Sequence, residues 1–170
     1  MIYKENGDLF GCGRSDNFQL GIENKESQIK PILILQDKEI KEICCGAAHN
    51  LFLRKNGELF GFGENHYGQL GIENKESKMK PVLILKDLQI KIISCGCDHS
   101  MILKENGEIF VFGRNFRGQL GLGDNEDRLT PTLLMKDPKI QTIRCGFSHS
   151  FILKENGEIW SFGRNDYGQL

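Results

Sequence analysis

Apolar residues in this chain come in short runs, and no window of a dozen residues carries them at the 3.6-residue helical spacing without glycine or proline intervening. The pattern therefore predicts strands. Between Pro131 and Phe162 it predicts four of them: Pro131–Met135, Ile140–Cys145, His149–Glu155 and Glu158–Phe162. Asn156-Gly157 separates the last two and is the strongest short-range hairpin signal, because both central residues of a type I′ turn need φ > 0. The run Ile109-Phe110-Val111-Phe112 is continuously apolar where a half-exposed strand would alternate, so its strand should be covered on both faces.

These elements repeat. Asn-Gly recurs at Asn6-Gly7, Asn56-Gly57, Asn106-Gly107 and Asn156-Gly157, and Gln-Leu at Gln19-Leu20, Gln69-Leu70, Gln119-Leu120 and Gln169-Leu170. Cys-Gly recurs at Cys45-Gly46, Cys95-Gly96 and Cys145-Gly146, and prolines 31, 81 and 131 keep the same step of 50. Only two residues differ between Gln19–Lys30 and Gln69–Lys80, as after a duplication. The chain divides into a partial repeat over 1–29 and repeats over 30–79, 80–129 and 130–170. Four short strands per period, each sheet covered on both sides by its neighbours, describe an all-β fold of propeller blades about an axis. The connection Arg114–Thr130 is long, polar and glycine-rich, so a binding surface is expected on the rim that carries such loops.

Composition narrows the function classes. The 39% hydrophobic content suffices for a core, and 20 glycines in 170 residues fit many tight turns between strands. Formal net charge is −1 with lysine and arginine spread among the acids, so there is no electrostatic footprint for nucleic acid or an acidic membrane. Met1–Gly7 lacks the apolar core of a signal peptide, and no apolar run approaches the roughly 20 residues of a membrane helix. The six cysteines lack paired CxxC spacing and are expected to be reduced thiols in the cytosol or nucleus.

The single tryptophan, Trp160, the lack of a Trp-Asp pair and the lack of a Gly-Gly doublet fit neither WD nor kelch repeats. The segment Ile143-Arg-Cys-Gly-Phe-Ser-His-Ser-Phe-Ile-Leu-Lys-Glu-Asn-Gly-Glu-Ile-Trp-Ser-Phe-Gly-Arg-Asn-Asp-Tyr-Gly-Gln-Leu170 instead resembles the repeat of the regulator of chromosome condensation family, as does Gly113-Arg-Asn-Phe-Arg-Gly-Gln-Leu-Gly-Leu-Gly-Asp124. The resemblance covers essentially the whole chain and implies a seven-bladed propeller, of which about three and a half repeats are present. Its founding member is a nucleotide exchange factor for the small GTPase Ran that also docks on chromatin. Relatives use the propeller as an interaction module in ubiquitin ligases, kinases, GTPase regulators and a plant ultraviolet photoreceptor. This chain departs from the pattern at Phe18, where Gly68, Gly118 and Gly168 stand, and at Asn50, where Ser100 and Ser150 stand. Glu23-Asn24 and Glu73-Asn74 occupy the place of Gly123-Asp124, and no insertion supplies the exchange factor's β-hairpin wedge.

No motif carries catalysis, a cofactor or a metal. Gly61-Phe62-Gly63, followed by Gly68, has the glycines of a phosphate loop, but no helix follows to present its amides, and Val111 and Ser161 replace the first glycine in later repeats. His49, His99 and His149 lie a whole blade apart, so they are read as structural imidazoles hydrogen-bonded to loop backbone near the axis. Ser100 and Ser150 beside them make no triad. Cys45, Cys95 and Cys145 read as small buried inner-strand residues, and Phe62, Phe112, Phe162 and Trp160 as inter-blade core. Gly46, Gly96 and Gly146 complete the structural motif with the histidines, and Gly96 and Gly146 are expected either to take φ > 0 or to have no room for a Cβ. Candidate partner contacts sit on equivalent turns of the long loops: Asn65, His66 and Tyr67; Asn115, Phe116 and Arg117; Asn165, Asp166 and Tyr167.

The resulting expectation is a protein–protein interaction module that binds a protein partner through its rim loops. Nucleotide exchange or regulation of a small GTPase, and substrate recruitment for a ubiquitin ligase, are the alternatives. Both ends fall inside a repeat, so the arc is expected to expose open blade faces and strand edges that favour self-association.

Overall fold

The computed structural model describes residues 1–170 as fourteen β-strands without a helix. Four antiparallel sheets follow one another along the chain. The first holds β1 (Ile2–Tyr3), β2 (Asp8–Gly13) and β3 (Gln28–Gln36), and the second β4 (Ile40–Cys45), β5 (His49–Arg54), β6 (Glu58–Gly63) and β7 (Lys78–Lys86). The third holds β8 (Ile90–Cys95), β9 (His99–Lys104), β10 (Glu108–Gly113) and β11 (Arg128–Lys136), and the fourth β12 (Ile140–Cys145), β13 (His149–Lys154) and β14 (Ile159–Gly163). Each sheet is a propeller blade whose strands run in sequence order, and the innermost strands β4, β8 and β12 pack side by side along the axis.

The predicted strands form, but the blades are phased differently from the repeats. The strand predicted at Pro131–Met135 does not pair with Ile140–Cys145: it lies in β11, which closes the preceding sheet, with Ile109 opposite Met135 and Glu108 opposite Lys136. The hairpins also fall where predicted, with a different turn. Gly57 takes φ +81° and its amide donates to the Arg54 carbonyl at 3.0 Å, whereas Asn56 keeps a negative φ. Lys55-Asn56-Gly57 is therefore a three-residue loop ending in a left-handed glycine. Asparagine serves there through its side chain, whose Oδ1 accepts from the Glu58 amide at 3.1 Å.

Three hydrophobic clusters lie between the blades. Leu9, Ile40, Phe52 and Phe62 join the first to the second; Leu51, Leu53, Leu70, Ile93 and Phe112 are among those joining the second to the third; Met101, Val111, Leu120, Ile143 and Ile152 are among those joining the third to the fourth. Val111, predicted to be covered on both faces, is fully buried. Phe62 and Phe112 fill the core as expected and Phe162 packs against it half-buried, but Trp160 is 45% exposed. It occupies the place of Phe60 and Phe110, where each ring lies beneath a cation: Arg54 over Phe60, Lys104 over Phe110 and Lys154 over Trp160.

Near the axis the blades are stapled by polar contacts. His49 Nε2 lies 3.0 Å from Ser100 Oγ of the next blade, and Ser100 Oγ donates to the Gln69 carbonyl at 2.8 Å. His99, Ser150 and the Gln119 carbonyl repeat the arrangement at 2.9 and 2.8 Å. A hydroxyl has one proton, and the carbonyl takes it, so each imidazole donates through Nε2–H and leaves Nδ1 without a partner. The expected imidazole contact to backbone is thus replaced by one relayed through serine. Where Ser100 and Ser150 stand, Asn50 spans the first junction directly, its Nδ2 donating to the Gln19 carbonyl at 2.7 Å. Backbone bonds link the same turns: the Cys97 amide donates to the Phe147 carbonyl at 3.0 Å.

Gly46, Gly96 and Gly146 do not have positive φ, so the second of the two expected reasons applies. A Cβ on Gly96 would stand 2.1 Å from Cε1 of the His99 ring and 2.7 Å from the Gly146 carbonyl oxygen. Glycine is the residue that lets the imidazole lie against the backbone.

The cysteines depart from expectation. Cys45 is exposed, Cys95 and Cys145 are half-buried, and Cys44 and Cys95 form a disulfide between β4 and β8 across a Cα separation of 5.7 Å. Residue n of one inner strand meets residue n + 51 of the next, and the corresponding pair one blade on is Ser94 and Cys145, joined by a Cys145 N–H to Ser94 Oγ bond of 3.0 Å.

Three measurements check this packing. Gly96→Val should cost a few kcal/mol by driving into the His99 ring, a loss read as a large drop in melting temperature; an unchanged melt would contradict the close approach. Burial lowers His49 to about 4, and burial, then the charges of His49 and His149, lower His99 to about 3. The unfolded chain, with imidazoles near 6.5, then binds more protons than the folded one, so stability should be complete above about pH 6.5 and decline as pH falls toward 4. Denaturation midpoints should fall between pH 6.5 and 5, before most carboxylates titrate, and the fall should shrink in His99→Gln. Alkylation of the denatured chain without reductant should label the four free cysteines, and all six after reduction; six labels without reductant would rule out the Cys44–Cys95 pair.

Candidate protein-interaction face

Strand direction alternates within each blade, so the turns after β4, β8 and β12 and the long connections after β6 and β10 emerge at one end. They are tied together there: Glu64 N donates to Ala48 O at 2.8 Å, Arg114 N to Asp98 O at 2.9 Å and Arg164 N to Ser148 O at 2.8 Å. The opposite end carries the Asn-Gly hairpins and paired charges that bridge blades, including Arg54 to Asp37 at 2.6 Å, Lys104 to Asp87 at 2.9 Å and Lys154 to Asp137 at 3.0 Å. Those charges satisfy one another.

The long loops are built on buried amides. Asn65 Nδ2 donates to the Asn74 carbonyl at 2.7 Å while its Oδ1 accepts from Leu70 N at 2.9 Å. Asn115 does the same with the Asp124 carbonyl and Leu120 N, both at 2.9 Å. Gln69 and Gln119 cap the inner turn by accepting from Tyr67 N at 3.0 Å and Arg117 N at 2.8 Å. Asn65 and Asn115 are thus fully buried scaffold, which corrects their placement among the partner contacts. Asn165 is exposed, and its Oδ1 accepts from Leu170 N at 3.1 Å.

The other candidates do face outward. His66 is exposed beside Glu64, Arg117 and Asp166 are exposed, Phe116 is 62% exposed, and Tyr167 is 83% exposed. Tyr67 is half-buried because the Arg114 guanidinium lies 4.4 Å above its ring. Four further residues of this face were missed: Arg114, Phe147, Ser148 and Arg164. Phe147, 68% exposed, lies in the inner-strand turn. The signal lay in the repeat itself, since within the otherwise constant stretch from Cys-Gly to His the two intervening residues change from Ala47-Ala48 to Cys97-Asp98 to Phe147-Ser148.

Between the third and fourth blades these side chains enclose a depression of about 160 Å³ lined by Arg114, Phe116, Arg117, Phe147, Ser148 and Arg164. Arg114 pairs with Asp98 at 3.1 Å, and Arg164 pairs with Asp166 at 2.7 Å, which raises the guanidinium and lowers the carboxyl. Nothing here resembles a nucleophile: burial, then Asp98, push the Cys97 thiol up to about 12, away from the thiolate. No group of three His, Cys, Asp or Glu side chains is placed to hold a metal ion. Gly61-Phe62-Gly63 lies within β6, and a loop rather than a helix follows it.

A larger gap of about 330 Å³ opens at the other end, between the second and third blades, lined by Leu85, Ile90, Ile102, Phe110 and Pro131. The preceding repeat has Phe52 where Ile102 stands, and Phe52 stacks on Phe60 with centroids 5.1 Å apart.

Comparison with known proteins agrees with this architecture. Residues 1–170 match the RCC1-like domain family. In the crystal structure of Kap60 bound to yeast RCC1 (Prp20), a chain 27% identical superposes with a TM-score of 0.85 over 96% of this chain and 41% of that one. The crystal structure of Prp20p from Saccharomyces cerevisiae, described with its binding properties to Gsp1p and histones, gives 25% identity and a TM-score of 0.81 over 95% of this chain and 42% of that one. Human WBSCR16, at 22% identity and a TM-score of 0.80 over 94% and 43% of the two chains, shares the fold. The present chain thus spans less than half the length of these propellers. No curated protein sequence matches it. The sheets, their order and the family match together establish that this chain belongs to the RCC1-like domain family.

Proposed function

We propose that the chain is a protein-binding propeller arc whose loop face holds the partner. The observation that carries this reading is the exposure of Phe116, Phe147 and Tyr167 on one face, with the Phe116 loop fixed by the buried amides of Asn115 and Gln119 and the Tyr167 turn closed by Gln169. Large aromatic side chains held outward on rigid backbone form a binding surface at little ordering cost. The yeast relative solved with Kap60, and the study of Prp20p with Gsp1p and histones, concern proteins of the same fold that bind other proteins. Regulation of a small GTPase is the second reading, favoured by the 27% identity to yeast RCC1.

The test is competitive. Partners captured from a cell extract and quantified by mass spectrometry should be depleted at least tenfold by Phe116→Ala with Tyr167→Ala, and unaffected by Leu83→Ser on the outer strand β7. Equal depletion by the outer-strand variant, or none by the loop pair, would overturn the loop-face reading. Mant-GDP release from candidate GTPases separates the second reading: catalysed release supports exchange, and binding without release supports a scaffold.

A further inference from the structure

The three blade junctions offer the same site in three versions. At the second junction the positions around the depression hold Glu64, His66, Cys97 and Asp98. At the third, Arg114, Phe116, Phe147 and Ser148 stand in their places, so two carboxylates have gone and a guanidinium and two exposed rings have arrived. The first junction has Arg14 paired with Asp16, and Ala47 and Ala48 leave it without an aromatic wall. Chemistry at this place has therefore changed while the supporting fold has not.

Resting on the loop-face reading above, we propose that the depression between the third and fourth blades docks an acidic peptide segment, a carboxylate beside an apolar side chain. Three guanidiniums, of Arg114, Arg117 and Arg164, meet only two carboxylates, those of Asp98 and Asp166. Arg117 is the least engaged of the three: its side chain is 48% exposed, its guanidinium lies 5.3 Å over the Phe116 ring, and its nearest acid, Asp166, is 4.0 Å away and already bonded to Arg164. Arg114 is held in place by the Tyr67 ring and by Asp98 through one nitrogen, which leaves its other N–H donors for a ligand. A guanidinium fork fixed in this way matches a carboxylate. Phe116 and Phe147 form the apolar walls that an adjoining leucine or phenylalanine would cover.

Size and charge choose among ligands. A space of about 160 Å³ takes one or two side chains and is small for a nucleotide or cofactor, whose sites run to about 300–1,000 Å³. One net positive charge in a chain of net charge −1 suits a single carboxylate but not a polyanion, which needs a stripe of cations along its backbone.

The probe is a fluorescein-labelled eight-residue peptide alternating Asp or Glu with Leu and Phe, read by anisotropy against the same peptide with Asn and Gln. The acidic peptide should bind at micromolar concentration and at least tenfold more tightly than its amide counterpart. Arg117→Glu should weaken it at least tenfold and Phe147→Ser several-fold, with both melts unchanged because both side chains are exposed. Added salt should weaken it further. Equal binding of the two peptides, insensitivity to Arg117→Glu, or tighter binding of an oligothymidylate would each overturn the proposal. If Arg117→Glu lowers the melt, the neutral Phe147→Ser variant decides alone. A captured partner that responds to Tyr167→Ala but not to Arg117→Glu or Phe147→Ser would overturn the acidic-segment site and leave the loop-face reading standing; one that responds to none of them would overturn that reading.

Discussion

The imidazole lying close against a glycine, with its Nε2 proton given to a serine of the next blade, is the contact on which the rest of this structure depends. A β-sheet satisfies its own backbone, but blades stacked around an axis touch mainly through side chains, and nonpolar side chains do not by themselves fix one register. The His49–Ser100–Gln69 and His99–Ser150–Gln119 relays supply that direction, because each links the inner turn of one blade, the second strand of the next and the end of a long loop. Glycine makes the contact possible, and burial keeps the ring neutral.

The loop face follows from the same relays. The carbonyls of Gln69 and Gln119 accept the serine protons while their side chains cap the turns that carry Tyr67, Phe116 and Arg117. The exposed residues are therefore displayed by a backbone anchored to the axis, and they change from repeat to repeat without disturbing it. The balanced ion pairs at the opposite rim show the contrasting case, in which charge is spent on joining blades.

Much of this was legible in the sequence because a step of 50 superimposes every turn, and the continuous apolar strands could be satisfied only by neighbours on both sides. What escaped it was information not carried by the step. β11 is paired across a loop of fourteen residues, 114–127, so its membership of the earlier blade follows from where that loop returns, not from adjacency to β12. Asn56 signals a hairpin under either turn type, and only the backbone distinguishes its side-chain cap from a left-handed conformation. Asn65 and Asn115 are polar and sit beside exposed residues, so their burial depends on loop carbonyls nine residues away. Cys44 lies one position before the periodic cysteine, and its partner Cys95 becomes a neighbour only when two blades are stacked.

The relay itself is most directly observed by long-range ¹H–¹⁵N correlation of the histidine rings. His49 and His99 should be neutral Nε2–H tautomers at pH 7, should not titrate above pH 5, and should change shift in Ser100→Ala and Ser150→Ala respectively. Nδ1–H tautomers, or rings that titrate near 6.5 as in an unstructured peptide, would contradict it.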